Sequence, residues 1–506
     1  MINQIPWTPQ QLAFFDRLRT TDDSIILTAV AGSGKTTTLV EGVKHLRGSI
    51  LAIAFNVKIK KTLEDRIGDL AVCKTINGLG HSALIKFFGH RFEIDRDKIR
   101  KISTELLKRP ENKHMWLAWT PIIQLVARAK NHGLVPKKSP GLFKPLLEDT
   151  LENWEDLAAH YDLAFNSEIH RLAWEILNES ISWSFNKNIC DFDDQIYLSC
   201  CWGAPFNKFD NVLVDEAQDL SEIQHAIVRK ALRKSGRLIA VGDPNQAIYG
   251  WRGAKDNSIE QLVTTFGLSR LDLTVSFRCA KAIVAEAQKV IPRIESSESA
   301  PEGYVHSWDT YPSNDFRAGD VILCRNNAPI IKLAYRLIGS GWGVTVVGRD
   351  IGRGLIILIK DLVGKKSDDI PIETLSEALY EWKSRELVKA EKQGKWSKAQ
   401  TINDKAESLR VVVDRPGIKL VGEAIEAINE LFRRKDAKII LSTIHRAKGM
   451  EWDRVFLLDQ QLMPSRWAVK SGMDWMLQEE QNLRYVAITR AKQDLVYIDS
   501  NGWEST

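Results

Sequence analysis

Nine short apolar runs set the tightest limit on what this chain can fold into: Ser24–Thr28, Ile50–Phe55, Asn211–Val214, Arg237–Val241, Leu271–Val275, Asp320–Cys324, Lys438–Ser442, Arg454–Leu458 and Asp494–Ile498. They are rich in Ile, Val and Leu, and most lack the apolar–polar alternation of a sheet with one wet face. Strands apolar on both faces belong to parallel sheets covered by helices on both sides. Helical patterns separate the runs, so the expected class is α/β, with two parallel-sheet lobes. Two helical blocks interrupt the alternation, one over residues 90–205 and a smaller one over 365–436. In the smaller block Leu420, Val421, Ala424, Ile425, Ile428, Leu431 and Phe432 recur at i, i+3, i+4, the stripe of a helix packed on one side. The larger block reads as helices, with loops at Gly133–Pro145 and from Asn186 onward.

At 506 residues the chain has length for about three to five domains. A composition of 44% hydrophobic and 27% charged residues excludes a disordered chain or a fibre. The apolar run Gly354–Ile359 is far shorter than the roughly 20 residues of a membrane span. The start, MINQIPWTPQQ, has no basic stretch followed by an apolar one, so no signal peptide is expected. Six cysteines contain no CxxC pair, which argues against a zinc or iron–sulfur site and for a reducing compartment. An intracellular compartment is the expected location. Sixteen tryptophans are more than core packing usually uses, and flat rings at a surface often meet other flat rings.

The net charge of +5 hides a strong segregation. From His90 to Pro145 there are 13 Lys/Arg against 5 Asp/Glu; from Leu146 to Glu222 there are 3 against 17. The basic stretch, with Arg128, Lys130, Lys137, Lys138 and Lys144, reads either as a phosphate-backbone contact or as a solvated helical surface.

Chemistry-bearing motifs stand at the ends of the predicted strands. After Ser24–Thr28 comes Ala29-Val30-Ala31-Gly32-Ser33-Gly34-Lys35-Thr36, then Thr37 and a helical pattern. That is the strand–loop–helix setting of a P-loop, whose N–H groups converge on phosphate oxygens. Lys35 supplies a point charge there, and Thr36 offers a hydroxyl to Mg²⁺. Ala29 stands where the usual pattern has Gly. Asn211–Val214 runs into Asp215-Glu216-Ala217-Gln218-Asp219. Asp215 is placed to hold Mg²⁺ and Glu216 to deprotonate an attacking water; read alone, the pair could equally be helix N-terminal charges. A third run, Val241-Gly242-Asp243-Pro244-Asn245-Gln246-Ala247-Ile248-Tyr249-Gly250-Trp251-Arg252, puts a polar phosphate sensor, Gln246, next to Tyr249, Trp251 and Arg252. Those rings can stack on bases, at about 1–3 kcal/mol each, or pack in a core.

Taken in order, these motifs resemble the superfamily 1 DNA helicases of the UvrD/Rep/PcrA type over nearly the whole chain. Further stretches match: Thr8-Pro9-Gln10-Gln11 is similar to the adenine-reading Q motif, Ala54-Phe55-Asn56-Val57-Lys58 to motif Ia, and Lys74-Thr75-Ile76-Asn77-Gly78 to motif Ib. Ser276-Phe277-Arg278 resembles motif IV, Ser442–Trp452 with His445 and Glu451 motif V, and Tyr485–Lys492 with Arg490 motif VI. The resemblance implies two RecA-like lobes: residues 1–89 with 206–267, and residues 268–364 with 437–506. It implies ATP and Mg²⁺ as cofactors, and single-stranded DNA with single-strand/duplex junctions as partners. Arg278 and Arg490 would be arginine fingers on the γ-phosphate, with catalysis shared by Lys35, Asp215, Glu216 and Gln246. Gln11, Ala31, Gly32, Ser33, Gly34, Lys35, Thr36, Thr37, Phe277 and Glu451 would bind ATP; Thr36 and Asp215 would bind the metal. Phe55, Thr75, Tyr249, Trp251, Arg252 and His445 would touch DNA.

Three departures qualify the match. Asn77 stands where motif Ib usually has His, Trp452 replaces a smaller aromatic, and the second insertion of about 72 residues is short for the family. No acidic nuclease cluster is present, and a fused nuclease domain is not expected. The leading expectation is an ATP-dependent DNA helicase moving 3′→5′. The alternatives are a translocase that strips proteins from single strands, and a nucleotide-gated DNA-binding module that hydrolyses nothing. Stacking and phosphate contacts suit RNA as well as DNA; the resemblance points to DNA.

Overall fold

The computed structural model describes residues 7–54, 56–161, 163, 165–248, 258–364, 367–392, 394–433 and 438–504. Two compact units emerge, Met1–Ala29 with Gly34–Leu273, and Val30–Ser33 with Thr274–Thr506.

The first unit is built on a sheet of six parallel strands in the order Val72–Thr75, Ile50–Ala54, Phe209–Val214, Leu232–Gly242, Ile25–Ala29, Ser269–Leu273. Successive side chains on a strand point to opposite faces, so each apolar run feeds two cores. Ile25, Leu27 and Ala29 join a core with Phe14, Phe15, Leu18 and Leu39, from the helices Pro9–Thr20 and Lys35–Val43. Ile26 joins the other core, which extends through Leu125, Trp154, Ile176 and Leu198 of the helical block. The block therefore shares its core with the sheet.

The second unit repeats the plan. Its six parallel strands run Tyr304–Trp308, Ala491–Ile498, Trp452–Leu458, Val321–Cys324, Ile439–Thr443, Val344–Val346. Ile322, Leu441 and Phe456 of the sheet pack in one core with Leu375, Leu409, Val421, Ile428 and Leu431 from the helices Ile372–Lys392, Trp396–Val413 and Val421–Arg433. The α/β class with two parallel sheets is as expected. Leu420 lies outside its expected helix and is 37% exposed.

Several expectations change. The run Leu271–Val275 is two strands, Ser269–Leu273 and Val275–Ser276, because the chain passes from one unit to the other at Thr274. The segment after Asn186 is not a loop: a helix spans Phe192–Cys201, started by Asp191, whose carboxylate accepts the Asp194 N–H in a capping box. Lys130 is no phosphate-facing cation. It is buried, and its ammonium is bound to Asp191 and Asp194 from the acidic stretch. Among the described tryptophans, Trp154, Trp183, Trp202 and Trp467 are buried and Trp116 is exposed, and the indoles of Trp154 and Trp174 both donate to the Asp149 carboxylate, at 2.9 and 3.0 Å. All six cysteines are buried free thiols. Among the described residues no helix is long and apolar enough to cross a membrane.

Behind the Asp215 strand a buried histidine ties the fold together. His225 pairs through Nε2 with Ser258 Oγ at 3.2 Å, and that hydroxyl bonds to the carbonyls of Ala217 and Leu220. Burial pushes the His225 pKa down to about 4. Between that value and the unfolded one near 6.5, the unfolded chain holds the extra proton, so stability must fall as pH drops through this window. We expect melting followed from pH 7 to pH 4 to show this loss, up to about 3 kcal/mol, and His225→Gln to flatten the window from pH 6.5 to 4.

Candidate functional site

The strand Ile25–Ala29 ends at the loop that precedes the helix Lys35–Val43. Gly32 and Gly34 hold φ of 75° and 76°, the left-handed region that suits glycine. Gly34 is the helix N-cap and has no side chain to satisfy the first-turn N–H groups, so they remain to bind phosphate. Ser33 is turned inward, its hydroxyl donating to the Val30 carbonyl at 2.9 Å. Thr37 accepts from Arg66 at 3.2 Å. Gln11 is buried: its amide oxygen accepts from the Thr8 N–H at 2.9 Å, completing a capping box, and its nitrogen donates to Thr38 at 2.7 Å.

Thr36 Oγ1 donates to Asp215 Oδ2 at 2.7 Å, joining the loop to the Phe209–Val214 strand. Burial drives the Asp215 carboxyl up to about 6, the neighbouring Glu216 charge adds to this, and the Thr36 bond and Lys35 oppose it. Glu216 adopts φ 55°, ψ 45°, a strained conformation for a side chain with Cβ, and its N–H donates to Asp215 Oδ1 at 2.9 Å. The turn sends the two carboxylates along different paths.

Gln218, which the motif reading left without a role, links these groups to the next strand. Its Nε2 donates to Glu216 Oε2 at 2.6 Å, and its Oε1 accepts the Asp243 N–H at 3.1 Å. Asp243 in turn accepts from Gln246 Nε2 at 2.6 Å and from the Asn245 N–H at 3.0 Å. Gly242 makes room for the bridge, since a Cβ there would lie 2.6 Å from Gln218 Oε1. A continuous hydrogen-bonded chain thus runs Glu216–Gln218–Asp243–Gln246. Its sequence signal is slight: a Gln between two acids, with nothing to show that it reaches the Asp243 N–H.

The second unit carries its own cluster. The Arg278 guanidinium pairs with the Glu451 carboxylate, which Lys492 also approaches at 3.3 Å, and Arg278 donates to the Thr489 carbonyl at 3.4 Å. Arg490 is buried and donates to the Val486 carbonyl at 3.0 Å and the Met450 carbonyl at 2.9 Å. Burial, with Arg278 nearby, lowers its pKa to about 10. Phe277 is half exposed, at 48%.

Of the expected nucleic-acid contacts, Phe55, Tyr249, Trp251 and Arg252 lie outside the described residues. Thr75 caps the helix Ile76–Phe88, its hydroxyl accepting the Gly78 N–H at 3.1 Å. His445 sits half-buried on the short helix Ile444–Ala447 of the second unit. Phe192 was missed. Its ring is 44% exposed with the Arg96 guanidinium 5.2 Å from its centre, and its carbonyl accepts from Asn77 Nδ2 at 2.8 Å, two residues after Thr75. In sequence it is only an aromatic among acids; its exposure between buried Asp191 and Asp194 is visible in the fold alone.

The donors fit the implied cofactors. A hydroxyl and a carboxylate in contact, Thr36 and Asp215, are hard oxygens of the kind Mg²⁺ takes alongside phosphates and water. Among the described residues there is no group of three or more His, Cys, Asp or Glu that could hold a metal ion.

A parallel sheet, a glycine-shaped anion loop at one strand end and a carboxylate pair at another define a P-loop nucleoside triphosphatase. The comparisons narrow this. Residues 7–267 match the UvrD/REP helicase N-terminal domain and residues 370–502 the UvrD-like helicase C-terminal domain; the chain belongs to this helicase family. It is 25% identical to the F-box DNA helicase protein 1 of Schizosaccharomyces pombe over 93% of its own length and 55% of that protein's. It is 21% identical to a probable DNA helicase II homolog of Rickettsia conorii, over 94% of this chain and 90% of that one. With DNA helicase II of Escherichia coli it shares 27% identity over 53% of this chain and 38% of that one.

The bridge makes a prediction. Gln218→Ala should lower ATP turnover by about 10- to 100-fold through a misplaced Glu216, with the KM for ATP within a few-fold. Steady-state kinetics check it, and a normal kcat would show that Glu216 needs no such support.

Proposed function

We propose that this chain is an ATP-dependent DNA helicase that translocates 3′→5′ on single-stranded DNA and opens duplex at single-strand/duplex junctions. The observation that carries the reading is the bonded series from Thr36 through Asp215 and Glu216 to Gln246 in a chain that belongs to the UvrD/REP family. Membership of that family and relatives named as DNA helicases support DNA as the track. The 3′→5′ polarity rests on the motif series alone.

In this reading Lys35 and the loop N–H groups bind the phosphates, and Thr36 and Asp215 hold Mg²⁺. A Mg²⁺ held by them would supply positive charge to the phosphates. Glu216 accepts the proton of the attacking water, and Gln218 keeps its carboxylate aimed. Gln246 senses the terminal phosphate. Arg278 and Arg490 are assigned to the γ-phosphate, where a planar guanidinium stabilises charge spread over several oxygens. Glu451 and Phe277 are assigned to the ribose and the adenine, Gln11 to the adenine edge. On the DNA side, Thr75, Tyr249, Trp251, Arg252, His445 and Phe55 are joined by Phe192.

A translocase that displaces proteins without unwinding remains the second reading, favoured by the short helical insertion between residues 365 and 436.

Strand displacement decides between polarities: a 3′-tailed duplex should be opened with ATP, and 5′-tailed and blunt duplexes should not. ATPase activity unmoved by single-stranded DNA would overturn the motor reading altogether. Lys35→Ala should abolish turnover while single-strand binding persists. Glu216→Gln should still bind Mg·ATP but hydrolyse it about 10²- to 10⁴-fold more slowly, because an amide cannot take up the proton.

A further inference from the structure

Four charges lie inside the helical block of the first unit. Lys98 and Lys130 are 0% and 1% exposed, Asp194 and Asp191 0% and 7%. Lys98 Nζ bonds Asp194 Oδ2 and Ser184 Oγ, both at 2.7 Å. Lys130 Nζ bonds Asp191 at 2.6 Å, Asp194 at 2.7 Å and Ser180 at 3.0 Å. The carboxylates are used again: Asp191 accepts the Asp194 N–H at 2.8 Å, and Asp194 accepts the Asp191 N–H at 2.9 Å. Two ammonium groups face two carboxyls, and burial with the Asp194 charge pushes the Asp191 carboxyl up. Desolvation opposes the ionised Asp194, but Lys130 and Lys98 outweigh it and hold its carboxyl down at about 2.

Such a cluster is a poor way to stabilise a fold, because desolvating each ion costs several kcal/mol and apolar residues of similar volume often serve as well. Apolar neighbours are abundant here, in the core that contains Leu125, Ile181 and Leu198. What ion pairs supply and apolar packing does not is direction. The quartet joins the helices Lys98–Leu107, Trp119–Asn131, Ser167–Lys187 and Phe192–Cys201 at one point. Phe192 falls between Asp191 and Asp194, and Arg96, whose guanidinium lies over its ring, falls two residues before Lys98. The short parallel pair Glu93–Ile94 and Ile189–Cys190 aligns the two segments. Both halves of the exposed ring–cation pair therefore hang directly from the buried charges.

We propose that Lys98, Lys130, Asp191 and Asp194 form a positioning unit for DNA: they fix Phe192 and Arg96 as one rigid surface on which a base of the single strand stacks. The inference rests on the proposed DNA-dependent activity. A rigid aromatic surface gains its stacking energy without first losing conformational freedom, so loosening the unit weakens DNA capture and not the chemical step.

The test is steady-state ATPase of the full chain titrated with oligothymidylate. The charge-balanced pair Lys130→Met with Asp191→Asn keeps an N-cap at position 191 and leaves no lone buried charge. The half-saturating DNA concentration should rise about tenfold while kcat at saturating DNA stays within twofold, a split that simple destabilisation does not produce. The milder pair Ser180→Ala with Ser184→Ala, which removes only neutral ligands of the ammonium groups, should shift it the same way by about two- to threefold, and it carries the test if the first variant does not fold. Phe192→Ala should raise the half-saturating concentration too, and adding Lys130→Met and Asp191→Asn to it should change nothing more. A folded quartet variant with wild-type half-saturation, or effects that multiply with those of Phe192→Ala, would overturn the positioning role. If DNA fails to stimulate the wild-type enzyme, the proposed function falls and takes this inference with it; if it stimulates and the effects multiply, the positioning role alone is lost.

Discussion

Parallel pairing of the strands Ile25–Ala29, Leu232–Gly242 and Phe209–Val214 is the constraint from which the site in the first unit follows. Main-chain register sets Thr28 beside Gly242 and Val214 beside Ala240, so the three strands end nearly level. The residues that follow each end, the glycine-rich loop, Asp243 and the Asp215–Glu216 pair, must therefore emerge at one edge of the sheet. Ligand sites in open parallel sheets lie at the carboxyl ends of strands for this reason. The hydrogen bonds from Thr36 to Asp215 and from Gln218 to Asp243 each cross from one strand end to another, and they can be short because the register has already brought the ends together.

The charge segregation along the chain has a structural meaning different from the one its sequence suggests. A basic stretch followed by an acidic one looks like two surfaces, one suited to nucleic acid. Instead, part of each stretch is used on the other: Lys98 and Lys130 meet Asp191 and Asp194 in the interior, His114 meets Glu168, and the Lys137 N–H meets Asp149. Buried ions cannot be recognised from a count of charges, because a lysine that is solvated and one that is paired have the same sequence signature. The distinguishing feature is the capping box at Asp191 and Asp194, which fixes the acids at a helix start and leaves their outer oxygens for the lysines.

How much of the fold was legible follows from the same physics. Central strands, buried on both faces, were visible as apolar runs. The main-sheet strands absent from the sequence reading, Val72–Thr75, Tyr304–Trp308 and Val344–Val346, are all at sheet edges. An edge strand has a neighbour on one side and often one wet face, as at Val72, 46% exposed, and Tyr304, 62% exposed, so the apolar run that marks a central strand is missing. In the site, Lys35, Thr36, Asp215, Glu216 and Gln246 could be read because fixed spacing and a fixed chemical role go together. Gln218 and Phe192 could not, since their importance lies in what they touch across the fold: a main-chain N–H 25 residues away for Gln218, an arginine on another segment for Phe192. Part of the tryptophan excess has a structural use for a related reason. Indoles with a buried N–H need a partner, and Asp149, Glu179 and the Pro140 carbonyl provide it, which makes large flat rings usable inside a helical block.

One device recurs where function is placed. Asp243 is buried, accepts the Asn245 N–H as the cap of the turn Pro244–Gln246, and also holds the Gln246 side chain. Asp191 is buried, caps the helix Phe192–Cys201, and is itself held by Lys130, with Phe192 as the first residue of that helix. In both places a buried aspartate starts a helical turn, and the residue proposed to face a ligand lies within the first three positions after it. The start of a helix has the fewest internal bonds and is free to move unless something external restrains it. A carboxylate with two oxygens can satisfy a cap with one and take a second partner with the other, so a single side chain both begins the turn and anchors it. That economy suits the roles proposed for Gln246 and Phe192: each stands at a turn start, where one buried carboxylate both begins the turn and holds it in place.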